Sequence, residues 1–180
     1  AFTQPAKFAA DSDPDPVALA TVPDIRWARR DIKTTNLLGQ VMAKQAAYLA
    51  GAYEALMIAP DGDITEAGSS SFFFIKGRKL YVRPVSNDIL HGITRQTMLR
   101  VAAQLQLQIV ETTYTLEQVL AADEAFITAA SIYVMPVGRI DDTIIGDGTA
   151  GPISTALRQS YLELARAEFP ARPDSGETTG

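Results

Sequence analysis

The sequence predicts an α+β domain built on a mixed, largely antiparallel sheet. Three observations carry this. Segments with strand and helix periodicity interleave without strict βαβ alternation. Several neighbouring strand segments are joined by turns short enough for hairpins. Of the 180 residues, 47% are hydrophobic and 21% charged, the usage of an ordinary globular chain rather than a disordered or fibrous one.

Residues 1–16 are polar and proline-bearing and read as a loose lead-in. Val17–Val22 is expected as a strand, closed by Pro23-Asp24, after which Arg26, Arg29 and Arg30 cluster ahead of Asp31-Ile32-Lys33. From Leu37, apolar residues at 37, 38, 41, 42, 46 and 49 follow a helical period, and Gly51 is a natural stop. Tyr53–Ala59 reads as a strand and Pro60-Asp61-Gly62-Asp63 as a turn. Glu66 is expected in the loop that leaves the next strand, before Ala67-Gly68 and three serines.

Phe72–Lys76 and Lys79–Arg83 flank Gly77-Arg78 as a hairpin. Leu90 to Arg95 leads into a helix with Met98, Leu99, Ala102 and Leu105 on one face. Gln108–Tyr114 alternates like a strand, and Thr115 to Gln118 fits a capping box opening a short helix. Ala125–Ala130 and Tyr133–Ile140 are expected strands. Pro152 begins a last helix with an apolar stripe at 153, 157, 161 and 164. The tail, 170–180, is expected to be disordered, and nothing within 17–169 marks a linker.

The composition narrows the chemistry. A formal charge of −5 with no basic stripe argues against nucleic acid as a partner, and the apolar runs are too short to span a bilayer. The chain has no cysteine and a single histidine, His91, which excludes thiol nucleophiles and metal sites built from several histidines. No metal site is expected. Lysines are scarce: Lys7, Lys33, Lys44, Lys76 and Lys79. The tools left for any reaction are lysine, carboxylates and hydroxyls, with a bound cofactor as one way of using them.

Each candidate has a plain reading beside the chemical one. Lys33 is an ordinary surface lysine, or an amine that condenses with an aldehyde to form a Schiff base. Glu66 is a solvated carboxylate, or the anion that keeps a pyridine nitrogen protonated. Gly92-Ile93-Thr94-Arg95 is a common helix start, or an anion site made by the free amides of Ile93 and Thr94 and the Thr94 hydroxyl. His91 reads as a loop surface residue, Tyr53 and Tyr133 as sheet-packing side chains, and Phe72–Phe74 as a core-and-interface strand.

The order and spacing of these segments say more than any one of them. The series begins with Asp31-Ile32-Lys33-Thr34-Thr35-Asn36-Leu37-Leu38, Tyr53-Glu54-Ala55 and Ile64-Thr65-Glu66-Ala67-Gly68-Ser69-Ser70-Ser71. It continues with Leu90-His91-Gly92-Ile93-Thr94-Arg95, Phe126-Ile127-Thr128, Met135-Pro136-Val137, Asp147-Gly148 and Gly151-Pro152. It resembles the fold-type IV pyridoxal-phosphate enzymes: D-amino-acid (D-alanine) transaminases, branched-chain aminotransferases, R-selective amine transaminases and aminodeoxychorismate lyases. Asp24-Ile25-Arg26-Trp27 together with the Lys33 segment looks most like the D-amino-acid group.

The resemblance implies a pseudo-barrel large domain over 17–169 that binds pyridoxal 5'-phosphate. It implies transamination between an amino acid, such as D-alanine, and a 2-oxo acid. Lys33 matches the Schiff-base lysine that also shuttles the proton, Glu66 the partner of the pyridine nitrogen, and Leu90 a residue on the face of the ring. Ile93 and Thr94 match one half of the phosphate cup and Ala129, Ala130 and Ser131 the other. Many relatives carry Gly at the position of Ala67, Asn at Ser71, and hydroxyls at Ala129 and Ala130. Relatives have a smaller N-terminal domain, for which residues 1–16 are too few, so a fragment or a non-catalytic module is expected as an alternative to a whole enzyme. A cytoplasmic homodimer completes the expectation, with Phe72–Phe74 supplying apolar interface surface.

Overall fold

The computed structural model describes residues 13–168. In chain order it contains β1 (Val17–Pro23), α1 (Leu38–Leu49), β2 (Glu54–Ile58), β3 (Ile64–Ala67), β4 (Ser71–Lys76), β5 (Lys79–Val82) and α2 (Ile93–Gln104). There follow β6 (Gln108–Glu111), α3 (Leu116–Leu120), β7 (Glu124–Ala129), β8 (Tyr133–Ile140), β9 (Thr143–Ile144) and α4 (Pro152–Glu168). The disordered tail expected from Pro170 lies outside the described residues, as does most of the lead-in.

The strands form one mixed sheet in the order β3-β2-β1-β8-β7-β4-β5-β6, with β9 pairing on β8. β1 lies parallel to β2 and β8, and β5 parallel to β6. The remaining pairs are antiparallel, as expected. The sheet curls until its two edges meet: Asp63 bridges Thr115, and the Ile64 N–H donates to the Tyr114 carbonyl at 2.9 Å. The edge groups of β3 are thereby satisfied within the fold.

Curling buries both faces of the sheet, which explains the unbroken Phe72-Phe73-Phe74 run. Phe72 and Phe74 join Leu19, Leu56, Ile64, Tyr114 and Ile127 on one side. Phe73 and Ile75 point the other way, against Met98 and Val101 of α2 and Leu157 of α4. None of the three phenylalanines is more than 3% exposed, so the run is core and supplies no interface surface. Five exposed apolar side chains lie instead on α1, at Leu38, Val41, Met42, Tyr48 and Leu49. Its inward face is small, with Ala43 and Ala47 packed on Ala20 and Ala55.

Local chemistry sets several boundaries. Gly51 closes α1 at φ +72°, and Gly77 makes the β4–β5 turn at φ +60°, a region only glycine enters without strain. The expected strand 108–114 stops at Glu111, because Tyr114 leaves β5 to bond β3. The Gln118 side chain accepts from the Thr115 N–H at 2.9 Å, as a capping box requires. Tyr53 precedes β2 and is half exposed rather than packed on the sheet.

Candidate active site

Glu66 lies within β3, not in the loop after it. Residues 64–67 are buried throughout, because β3 is held on one side by β2 and on the other by Tyr114 and by Arg83, whose Nη1 donates to the Ile64 carbonyl at 2.7 Å. This drives the Glu66 side chain into the interior, where it is 6% exposed. Arg26 Nη1 donates to its Oε1, and the Leu90 N–H lies 3.3 Å from each carboxylate oxygen. Oε2 therefore carries only the long Leu90 contact among the described residues. Burial pushes the Glu66 carboxyl above its usual range, and Arg26 and Leu90 offset this only in part.

Arg26 is the centre of a buried charge network. Its Nε and Nη2 grip Asp24 at 2.9 and 2.7 Å in a two-point fork. Thr65 Oγ1 donates to the same aspartate at 2.7 Å. Arg30 reaches Asp24 at 3.3 Å and Asp88 at 2.8 Å. The Arg30 N–H also donates to the Asn87 carbonyl at 2.9 Å. Arg26 and Arg30 thus bind three segments far apart in sequence: 24–30, 64–66 and 87–90.

Lys33 stands in the loop between β1 and α1, just beyond the turn in which the Ile32 N–H donates to Arg29. It is exposed. Arg30 ties this loop to the segment that runs into α2. Arg29 and Asp31 pair at 2.8 Å on the surface. His91 is exposed, as expected, with its Nε2 3.3 Å from the Ser86 carbonyl.

Gly92 is the N-cap of α2, in extended conformation, and no side chain caps that end. The Gln96 N–H already bonds Gly92, so the first amides, Ile93 and Thr94 included, are the donors a helix start leaves for an anion. A Cβ on Gly92 would stand 3.6 Å from Ser71 Oγ. Ser71 pairs with Thr128 across β4 and β7. Ala129 ends β7, and Ala130 and Ser131 form the exposed turn into β8. The helix start and Thr128 near the end of β7 therefore both adjoin Ser71.

Two hydroxyls here, Ser70 Oγ and Thr128 Oγ1, are buried without a hydrogen-bond partner. Such orphans are uncommon in a closed interior. Together with an uncapped helix start and a carboxylate with one oxygen open, they suit a ligand bearing both an anionic group and a ring N–H. The residues present fit pyridoxal phosphate in that sense.

The family model described as amino-transferase class IV matches residues 1–140. The chain belongs to the class IV aminotransferases. It is 40% identical over 166 residues to a D-alanine aminotransferase of Bacillus licheniformis, covering 90% of this chain and 58% of that protein. It is 42% identical over 142 residues to one from Staphylococcus epidermidis, covering 78% and 50%. The chain thus spans between half and three-fifths of the length of these curated relatives. Among solved structures, this class IV chain is similar to the PLP-form of the branched-chain amino acid aminotransferase of Thermobaculum terrenum, at TM-score 0.82 and 26% identity, covering 91% of this chain and 55% of that one. It is also similar to a branched-chain amino acid aminotransferase solved with pyridoxamine 5'-phosphate, from the source designated T.th., at TM-score 0.78 and 32% identity, covering 86% and 53%.

Reading the sequence missed the Asp24–Arg26–Glu66 network. Its signal was present in Asp24-Ile25-Arg26-Trp27: an acid two residues before an arginine, at the exit of a buried strand, is a pattern that suits an ion pair if the segment is buried.

Proposed function

We propose that this class IV chain is the cofactor-binding part of a pyridoxal 5'-phosphate-dependent aminotransferase that moves an amino group between a D-amino acid, such as D-alanine, and a 2-oxo acid. The observation that carries the reading is Glu66: a buried carboxylate with one oxygen committed to Arg26 and the other carrying only a long contact from Leu90. When bound, the cofactor supplies a conjugated ring that takes up the electron pair released at the substrate carbon. Glu66 Oε2 would accept from the ring nitrogen and keep it protonated. The Lys33 amine is the covalent anchor, and it takes and returns the proton at the substrate carbon. Leu90 would pack on the ring. The amides of Ile93 and Thr94, with Ala129, Ala130 and Ser131, hold the phosphate.

The D-amino-acid preference is supported by the D-alanine aminotransferases at about 40% identity. A branched-chain substrate is the second reading, favoured by the branched-chain aminotransferases among the solved structures. A panel of D-alanine, L-leucine and aminodeoxychorismate separates these readings from each other and from a lyase. A cytoplasmic homodimer belongs to the same proposal, and the exposed apolar face of α1 supports the dimer. Among the described residues no helix is long and apolar enough to cross a membrane.

Titration of the chain with pyridoxal phosphate tests the cofactor reading. A new absorbance band is expected in the parent and absent in Lys33→Ala. An identical band in the variant overturns the role of Lys33. Binding without turnover would identify the 180-residue chain as a cofactor module that needs further sequence for catalysis.

A further inference from the structure

We propose that Arg26 is a positioning residue for the reaction: it fixes the Glu66 carboxylate so that Oε1 is occupied and Oε2 is the oxygen presented to an incoming donor. The inference rests on the cofactor reading above and deepens it.

The argument begins with how little freedom Arg26 has. Its side chain is 3% exposed. Asp24 holds Nε and Nη2 in a fork, which fixes the guanidinium plane. Nη2 also lies 3.4 Å from Thr65 Oγ1 and 3.4 Å from the Asp88 carbonyl. The aliphatic stem rests in a notch on α1, where a Cβ on Gly39 would stand 3.0 Å from Arg26 Cγ and 3.3 Å from its Cα. With the plane and stem fixed, Nη1 can meet only Glu66 Oε1. The Leu90 N–H straddles both oxygens and does not choose between them. The choice is made by Arg26.

The same contact favours the charged form of Glu66 against burial. Burial alone favours the neutral acid, and a neutral carboxyl would offer an O–H where an acceptor is needed. The guanidinium opposes that, and Asp24 in turn anchors the guanidinium. A lysine at position 26 would supply charge but not the fork, so it could not serve Asp24 and Glu66 in one fixed plane.

The test follows the Glu66 carboxyl in the 180-residue chain labelled with 13C at the glutamate carboxyls, the Glu66 signal being identified by its loss in Glu66→Gln. In Arg26→Gln the Glu66 midpoint is expected to rise by about one pH unit or more. Affinity for pyridoxal phosphate should fall roughly tenfold. Arg26→Lys should restore the Glu66 midpoint in part but not the affinity. Because Arg26→Gln leaves Asp24 short of a partner, Asp24→Asn/Arg26→Gln repeats the test without that buried charge and should still show a rise, a smaller one because Asp24 itself pushes Glu66 upward. A folded variant whose Glu66 midpoint and cofactor affinity equal the parent's overturns the proposal. A parent that takes up no pyridoxal phosphate defeats the cofactor reading, whereas an unmoved Glu66 midpoint defeats Arg26 alone.

Discussion

The Leu90 backbone N–H sits astride the Glu66 carboxylate, 3.3 Å from each oxygen, although the two residues belong to segments 24 positions apart. This contact joins the end of β3 to the approach to α2, and it separates two kinds of substitution. Glu66→Gln keeps an oxygen for Arg26 and for Leu90, so the fold should lose no more than about 1 kcal/mol. Pyridoxal phosphate affinity should nevertheless fall about tenfold, because a neutral amide is a weaker acceptor for a charged N–H. Glu66→Leu leaves a buried guanidinium arm and an amide without acceptors and should cost about 3 kcal/mol. Urea unfolding and a cofactor titration on both variants check this, and equal losses of stability would refute it.

Asp24 and Glu66 respond to acid in opposite senses. Burial pushes Asp24 upward, but hydrogen bonds from Arg26 and Thr65 outweigh it and hold the carboxyl below its usual 3.8. Its charged form therefore contributes stability that is complete above about pH 4 and is lost as the pH falls through the folded-state value. Glu66 is raised, so its contribution is present below its usual 4.5 and is lost as the pH rises through its folded-state value. Asp24→Asn should destabilise the neutral protein by about 3–5 kcal/mol, since Arg26 loses the carboxylate it is forked to. It should also flatten the fall in stability below about pH 4. Urea midpoints measured across that range decide it; a parent-like acid slope in the variant would exclude Asp24 as the titrating group.

Periodicity made most of the fold legible. The strand, helix and hairpin positions follow from alternation, helical spacing and turn residues, because those signals are local. What was not legible is what depends on curling. The expectation that Phe72–Phe74 faces a partner failed because both faces of the sheet are covered, which no single strand can announce. Glu66 was expected in a loop, but it lies in β3, where Arg26, 40 residues earlier, meets its carboxylate. The ordered series of motifs singled out Lys33, Glu66, Leu90 and Thr94 as expected site residues, but the groups that tie their segments together, Arg26, Arg30 and Asp88, stood out only in three dimensions.

The closure of the sheet depends on Tyr114. Its hydroxyl donates to the Phe72 carbonyl at 3.1 Å, and its ring meets Phe74 edge-on at 86° with centroids 5.1 Å apart. Full burial holds the hydroxyl well above its usual range, so it remains a neutral donor. Tyr114→Phe keeps the ring but leaves the Phe72 carbonyl unpaired and should cost about 1–2 kcal/mol. Tyr114→Ala also empties the core and should cost about 3–5 kcal/mol. Thermal or urea unfolding of the pair gives the difference; equal losses would mean that the hydroxyl contributes nothing.

Glu124 and Gly151 make a coupled pair at the start of α4. The Glu124 carboxylate leaves β7 and accepts from the Ile153 N–H at 3.0 Å and the Ser154 N–H at 2.7 Å, satisfying two donors that the helix itself cannot. It also places negative charge at the positive end of the helix dipole. Only glycine leaves room for it, since a Cβ on residue 151 would stand 2.1 Å from Glu124 Cδ and 2.3 Å from Oε2. Glu124→Ala should therefore cost about 2 kcal/mol. Gly151→Ala should cost at least as much in the parent, because the carboxylate must be driven off the helix. In the Glu124→Ala background the clash is gone, and Gly151→Ala should cost far less. A double-mutant cycle by urea unfolding measures the coupling, expected to exceed about 1 kcal/mol; simple additivity would mean that Gly151 is small for a reason other than the Glu124 cap.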